Sequence, residues 1–253
     1  MQNPFVRGVG GVLSADIAVP EYEREVGFYS KILTTGDTPL WREDLMNNLG
    51  TPIIGLGART PEYDMLPLQW MPHFQVADVA ASAAIAIEMG GQELLHGKDD
   101  GGQSQWAVLF DPDGAAFGII PVPSQSDAPQ QGVRQGCISW LSLAVPDASS
   151  SQNFYQCVIG WKAKSIETEG VEGLFAKFEM QIDPETSAAE ICQFETGQSE
   201  TPSVWLIHLP VDNFMESLRR VRESGGTVIK ELAEVNHAII RDPVGVLLGL
   251  QAY

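Results

Sequence analysis

Two of the four histidines in this sequence stand at the same place in a phrase that the chain writes twice. His73 lies in Trp70-Met71-Pro72-His73-Phe74-Gln75-Val76-Ala77-Asp78, and His208 lies in Trp205-Leu206-Ile207-His208-Leu209-Pro210-Val211-Asp212-Asn213. Trp, His and Val keep their spacing, and an Asp follows two positions after one Val and an Asn after the other. Imidazole ordinarily titrates near neutrality, so a His oriented by a carboxylate is a candidate general base. Asp16 is the candidate partner of His73, and Ser142 with His208 is a thinner version of the same pair. A plainer reading stays open for both: a hydrogen-bonded wall residue that fixes a strand or a ligand and moves no proton. Trp106 and His237 also occupy matching places, five residues before the Asp of Asp111-Pro112 and of Asp242-Pro243. They could line cavity mouths or simply pack.

Several chemistries lack their residues. No Gly-x-Gly-x-x-Gly follows a strand pattern, and there is no Walker lysine loop, no His-Glu-x-x-His and no Gly-x-Ser-x-Gly. Nucleotide cofactors and nucleophilic-serine hydrolysis are disfavoured, and no cofactor is expected. Three cysteines (Cys137, Cys157, Cys192) make neither a disulfide framework nor a Cys-x-x-Cys pair, which fits a reducing cytoplasm. A net charge of −18, from 33 acids against 15 bases, repels nucleic acid and anionic membranes. No apolar run has the length of a signal segment or of a membrane span. The expected partner is a small molecule, with no nucleic acid and no membrane, and a homodimer is left open.

Periodicity supplies the elements that must position these residues. Val12 to Val19 reads as a strand, and Pro20 with Glu21, Glu23 and Glu25 as a helix start, Pro20 at the first helical position. Phe28, Tyr29, Ile32 and Leu33 give that helix one buried face. Strands are expected near Pro39–Arg42 and Pro52–Gly57. Leu68 to Val76 is the next strand, Asp78 an N-cap, and Ala80 to Met89 a helix ended by Gly90-Gly91. Gln92–Leu95, Trp106–Phe110 and Ala116–Pro121 follow as strands. After a Pro-, Ser- and Gln-rich stretch the pattern restarts: Ile138–Val145, a helix carrying Phe154-Tyr155, then Phe175–Gln181 and Ala189–Phe194. Trp205–Pro210, the helix Phe214–Ser224, and Thr227–Ile229, Ala238–Arg241 and Leu247–Gln251 complete a fourth unit. Four β-α-β-β-β units, paired two and two, predict an α+β fold of two tandem domains, residues 1–123 and 134–253, joined by a linker at 124–133.

The Phe-Tyr helices (Phe28-Tyr29, Phe154-Tyr155), the Gly pairs and the two Asp-Pro-x-Gly phrases, in register four times over, make the chain resemble the vicinal oxygen chelate superfamily. That superfamily includes glyoxalases, bleomycin-binding proteins and extradiol dioxygenases; within it the chain resembles the two-domain antigen and hydroxylase-like group. The resemblance implies that each domain wraps its sheet into a half-barrel around one cavity. It also implies metal-ligand positions, five residues before the strand-ending Val and seven after the Asp of Asp-Pro-x-Gly. These fall on Ser14, Met71 and Gly118 in one domain, and on Trp140, Leu206 and Gly249 in the other. None is an imidazole, carboxylate or thiolate, so no metal site is expected.

If those positions face the cavities, alternation along the strands brings Asp16, His73 and Gln75 into the first, and Ser142 and His208 into the second. Trp41, Trp140 and Trp161 could stack on a flat ligand or belong to the core. The function expected from this is metal-independent small-molecule binding. The alternative is a metal-independent lyase, isomerase or hydroxylase-like enzyme with Asp16 and His73 as its catalytic pair. Ser14, Met71, Gln75, Trp106, Gly118, Trp140, Ser142, His208 and His237 are then the expected ligand contacts. The first cavity, richer in polar groups, is expected to be the functional one.

Overall fold

The computed structural model describes residues 6–33, 54–123, 138–170, 173–194 and 202–252. The first half runs β1 (Val12–Val19), α1 (Tyr22–Ile32), β2 (Ile54–Ala58), β3 (Met71–Val76), α2 (Val79–Glu88), β4 (Gln92–Lys98), β5 (Ser104–Phe110) and β6 (Ala116–Pro121). The second runs β7 (Trp140–Val145), α3 (Ala148–Ile159), β8 (Lys162–Gly170), β9 (Gly173–Asp183), β10 (Thr186–Gln193), β11 (Trp205–Val211), α4 (Phe214–Glu223), β12 (Thr227–Leu232), β13 (His237–Arg241) and β14 (Leu247–Ala252). No helix among the described residues is long and apolar enough to cross a membrane.

The strands form two mixed sheets, ordered β2-β1-β3-β6-β5-β4 and β12-β13-β14-β11-β7-β10-β9-β8. In each sheet the first strands of two units meet antiparallel at the centre, β1 on β3 and β7 on β11. Each unit's last strand lies parallel beside its first: β2 on β1, β6 on β3, β10 on β7 and β14 on β11. This is the expected α+β architecture of paired β-α-β-β-β units. It puts the central strands, which carry the candidate residues, in the middle of each sheet's face.

Local chemistry sets the helix ends. Asp78, Asp147 and Asn213 cap α2, α3 and α4 by accepting backbone N–H groups of the first turn, at 2.9 Å from Ala81 and 3.0 Å from Ser150 and Glu216. Gly90 and Gly225 follow α2 and α4 with φ of 93° and 90°, a left-handed conformation that a side chain would strain. Pro20 sits before α1, which starts two residues later at Tyr22, so the expected first-turn proline is a strand terminator instead.

One apolar core runs through both domains. At its centre Phe74 meets Trp161 at 4.8 Å and Trp205 at 5.6 Å between ring centroids. Trp161 is therefore core and unavailable to stack on a ligand; its indole N–H donates to the Gly10 carbonyl at 2.7 Å. The strand β8 was not expected. Its sequence opens Lys162-Ala163-Lys164-Ser165 and lies at the edge of the sheet, where charge guards against further pairing and hides the strand signal. The expected strand Pro39–Arg42, Trp41 and the 124–133 linker lie outside the described residues.

Candidate functional site

In the first domain β1 and β3 pair with Ser14 opposite His73 and Asp16 opposite Met71, and His73 lies beside Gly118 of β6. His73 Nδ1 is 2.9 Å from Asp16 Oδ2 and 3.2 Å from Ser14 Oγ. In a neutral ring held this way the carboxylate favours the proton on Nδ1, leaving the lone pair on Nε2. The expected Asp16–His73 pair is thus formed, with Ser14 sharing the same nitrogen. All three are almost fully buried.

Gln75 does something else. Its side-chain N–H donates to the Val6 carbonyl at 2.9 Å, and its oxygen accepts from Gly8 N–H at 3.0 Å. The amide, placed by sequence among the ligand contacts, pins the N-terminal segment to the sheet. Met71 and Trp106 are also expected ligand contacts. They pack into a small apolar cluster with Leu66, Leu94, Val108 and Ala116.

The second domain pairs its central strands in the same register but with different side chains. Trp140 stands opposite His208, and Ser142 opposite Leu206. Ser142 Oγ is 2.7 Å from His208 Nε2, and His208 Nδ1 is 2.9 Å from His237 Nε2, so the three form one hydrogen-bonded chain. His237 reaches His208 across β14, where Gly249 lies beside His208. Burial, and then the neighbouring His237, pushes the His208 proton affinity down to about 3, so this imidazole is neutral at physiological pH. Burial and the Lys230 ammonium lower that of His237 as well. Trp140, Ser142, Leu206 and His237 are half-buried, whereas Ser14 and Met71 at the matching first-domain positions are 2% exposed.

The two glycines at the implied carboxylate positions explain why no such ligand is there. A Cβ on Gly118 would lie 1.9 Å from His73 Cδ2, and one on Gly249 would lie 2.2 Å from His208 Nδ1. In both domains a histidine ring fills the place that a longer side chain would need. With Ser14 and Met71, or Trp140 and Leu206, as the remaining positions, neither set fits a divalent ion. Among the described residues, no group of three or more His, Cys, Asp or Glu side chains is placed to hold one.

Sequence reasoning missed what the shared Phe-Tyr and Asp-Pro phrases do together. Tyr29 of α1 donates its hydroxyl to Asp242 at 2.8 Å, and Tyr155 of α3 donates to Asp111 at 3.0 Å. Each bond crosses from one domain to the other. The other carboxylate oxygen of each Asp accepts the turn's own backbone N–H groups, from Ala115 at 2.8 Å and Val246 at 2.7 Å. Trp205 adds an indole N–H to Tyr155 Oη at 2.9 Å. The recurrence of Tyr and Asp at matching positions was the available signal.

A family model described as Glyoxalase/Bleomycin resistance protein/Dioxygenase superfamily matches residues 137–250. A protein named as a candidate glyoxylase, CFP32 of Mycobacterium tuberculosis, is 24% identical over 189 residues, 73% of this chain and 70% of that protein. The anthracycline biosynthesis protein DauV of a Streptomyces species is 26% identical over 188 residues, 71% of this chain and 64% of that protein. Among solved structures, the Mn(II)-bound glyoxalase from Novosphingobium aromaticivorans superposes with a TM-score of 0.56 at 15% identity, over 96% of this chain and 82% of that one. The 2,2',3-trihydroxybiphenyl 1,2-dioxygenase of Sphingomonas wittichii gives 0.54 at 15% identity, over 98% of this chain and 91% of that one.

Proposed function

Given that the chain has the vicinal oxygen chelate fold, and that residues 137–250 match the model of the Glyoxalase/Bleomycin resistance protein/Dioxygenase superfamily, we propose that it binds a small organic molecule without a metal ion. One observation carries this reading: in both domains a histidine ring overlies the glycine at the implied carboxylate position, so that position cannot take a metal-binding side chain without evicting the ring. In this reading the sheet face that carries these residues is the binding surface, with hydrogen-bonding and apolar side chains in place of ion ligands.

A second reading has its own support. The 2.9 Å contact between His73 Nδ1 and Asp16 Oδ2 is the geometry that orients an imidazole for proton transfer through Nε2. In that reading Asp16 and His73 form the working pair of a metal-independent lyase, isomerase or hydroxylase-like enzyme. The names of the relatives, a candidate glyoxylase and anthracycline biosynthesis proteins, suit a small organic substrate under either reading. Thermal-shift screening of metal-stripped protein against small organic compounds tests the proposal. Stabilising compounds should act equally with and without added divalent ions. Stabilisation that appears only when an ion is supplied would refute metal independence.

A further inference from the structure

We infer that the central face of the second sheet is a recognition site for an uncharged, planar aromatic ligand bearing a hydroxyl or carbonyl group. This rests on the small-molecule reading above and adds the domain and the chemical class. Four residues at adjacent positions of β7 and β11 make a checkerboard. Trp140 faces His208 across the pair and Ser142 faces Leu206, so Ser142 and His208 form the polar diagonal and Trp140 and Leu206 the apolar one. The polar diagonal is closed by the 2.7 Å hydrogen bond. The apolar diagonal leaves an indole and a Leu side chain only partly buried on the two central strands of an eight-stranded sheet. Burying such surface against a flat ring is favourable, and an indole face stacks on an aromatic ring with additional gain.

The hydrogen-bonding character of the floor selects the polar group. Ser142, His208 and His237 are all neutral, and a neutral Ser-His-His chain can run either way. In one direction the Ser142 hydroxyl donates to His208 Nε2, and its oxygen lone pairs face the ligand. In the other, His208 donates to Ser142, and the hydroxyl proton is free to face it. Ser142 can therefore accept from a ligand hydroxyl or donate to a ligand carbonyl, at the cost only of shifting protons along the chain. Charge does not compete at this point. Glu190, beside Ser142 on β10, is paired with Lys177 at 2.7 Å. Glu179, next to Glu190 on β9, is near Lys164 at 3.6 Å. Lys230 lies on the exposed edge strand β12; burial first, and then its charge, lower the proton affinity of His237.

Three matched probes test the inference: naphthol, naphthalene and naphthalenesulfonate, titrated into the full-length protein by equilibrium dialysis. Naphthol should bind at one saturable site. Naphthalene should bind about tenfold more weakly for want of one hydrogen bond, and the sulfonate at least as poorly. Ser142→Ala should weaken naphthol about tenfold while leaving naphthalene unchanged, and Trp140→Ala should weaken both. Since Trp140→Ala could disturb the sheet, the site is also located in the unmutated protein. Naphthol should shift the ring-nitrogen resonances of His208 and His237 and leave those of His73 and His96 in place. Absence of saturable naphthol binding, preference for the sulfonate, or an unaltered Ser142→Ala titration overturns the inference. Shifts confined to His73 would overturn it too, yet leave the protein a metal-independent binder.

Discussion

Tyr29 in the first helix of one domain donates its hydroxyl at 2.8 Å to Asp242 in the last turn of the other, and Tyr155 returns the bond to Asp111 at 3.0 Å. The two domains are thus bolted together twice by the same pair of residue types. The aspartates are buried, so removing a Tyr hydroxyl leaves a buried carboxylate oxygen without that donor. Tyr29→Phe and Tyr155→Phe should each lower unfolding stability by about 1–3 kcal/mol. Urea unfolding followed by tryptophan fluorescence checks this. An unchanged midpoint for both variants would show that the bonds contribute nothing net.

The same seam gives a pH dependence with a definite sign. Glu25 is fully buried there, and burial followed by repulsion from Asp242 pushes its carboxyl up from 4.5 to about 8. The folded protein then binds this proton more tightly than the unfolded chain does. Its contribution is fully present below pH 4.5 and is lost as pH rises toward about 8. His208 acts oppositely. Its folded affinity is depressed from 6.5 to about 3, so stability is lost as pH falls through that window. Glu25→Gln should flatten the alkaline decline and His208→Gln the acid one, each removing a slope of at most about 1.4 kcal/mol per pH unit. Denaturation midpoints measured across pH test both. A parallel offset with unchanged slopes would contradict the assignments.

Gly118 and Gly249 should tolerate nothing larger. Gly118→Ala puts a methyl where the His73 ring lies, and Gly249→Ala puts one against the His208 nitrogen that bonds His237. Each should destabilise by about 1–3 kcal/mol through overpacking, and Gly249→Ala should also break the Ser142–His208–His237 chain. Histidine ring-nitrogen spectra read the second effect directly. If the His208 and His237 signals of Gly249→Ala matched those of the parent, the packing argument would fail.

Asp16→Asn asks whether the carboxylate holds the His73 tautomer. The parent should show a slowly exchanging, downfield Nδ1 proton on His73, and the variant should lose it while the sheet amide signals persist. Retention of that proton in the variant would show that the carboxylate charge is not what holds the tautomer.

The repeats and the two histidines were legible because they are written as spacing: Trp70 and Trp205 mark the same register, and His73 and His208 both fall beside a glycine of the unit's last strand. The strand β8 was hidden because an edge strand carries polar residues where a buried one would alternate. The destination of Gln75 was hidden because its partners, Val6 and Gly8, are backbone groups with no side-chain signature. Trp161 and Trp140 could not be told apart as core and surface, since only packing separates them. The greater exposure of the second face has the same origin. It depends on what covers each sheet, which strand alternation does not encode.

The central claim is that histidine-on-glycine packing has replaced ion binding in both domains. Elemental analysis of the purified protein, after dialysis against a buffer without chelator, measures this most directly. The account predicts well under one equivalent of Mn, Fe, Ni or Zn per chain, unchanged in His73→Ala and His208→Ala. One full equivalent that survives dialysis in the parent and disappears in either variant would contradict it.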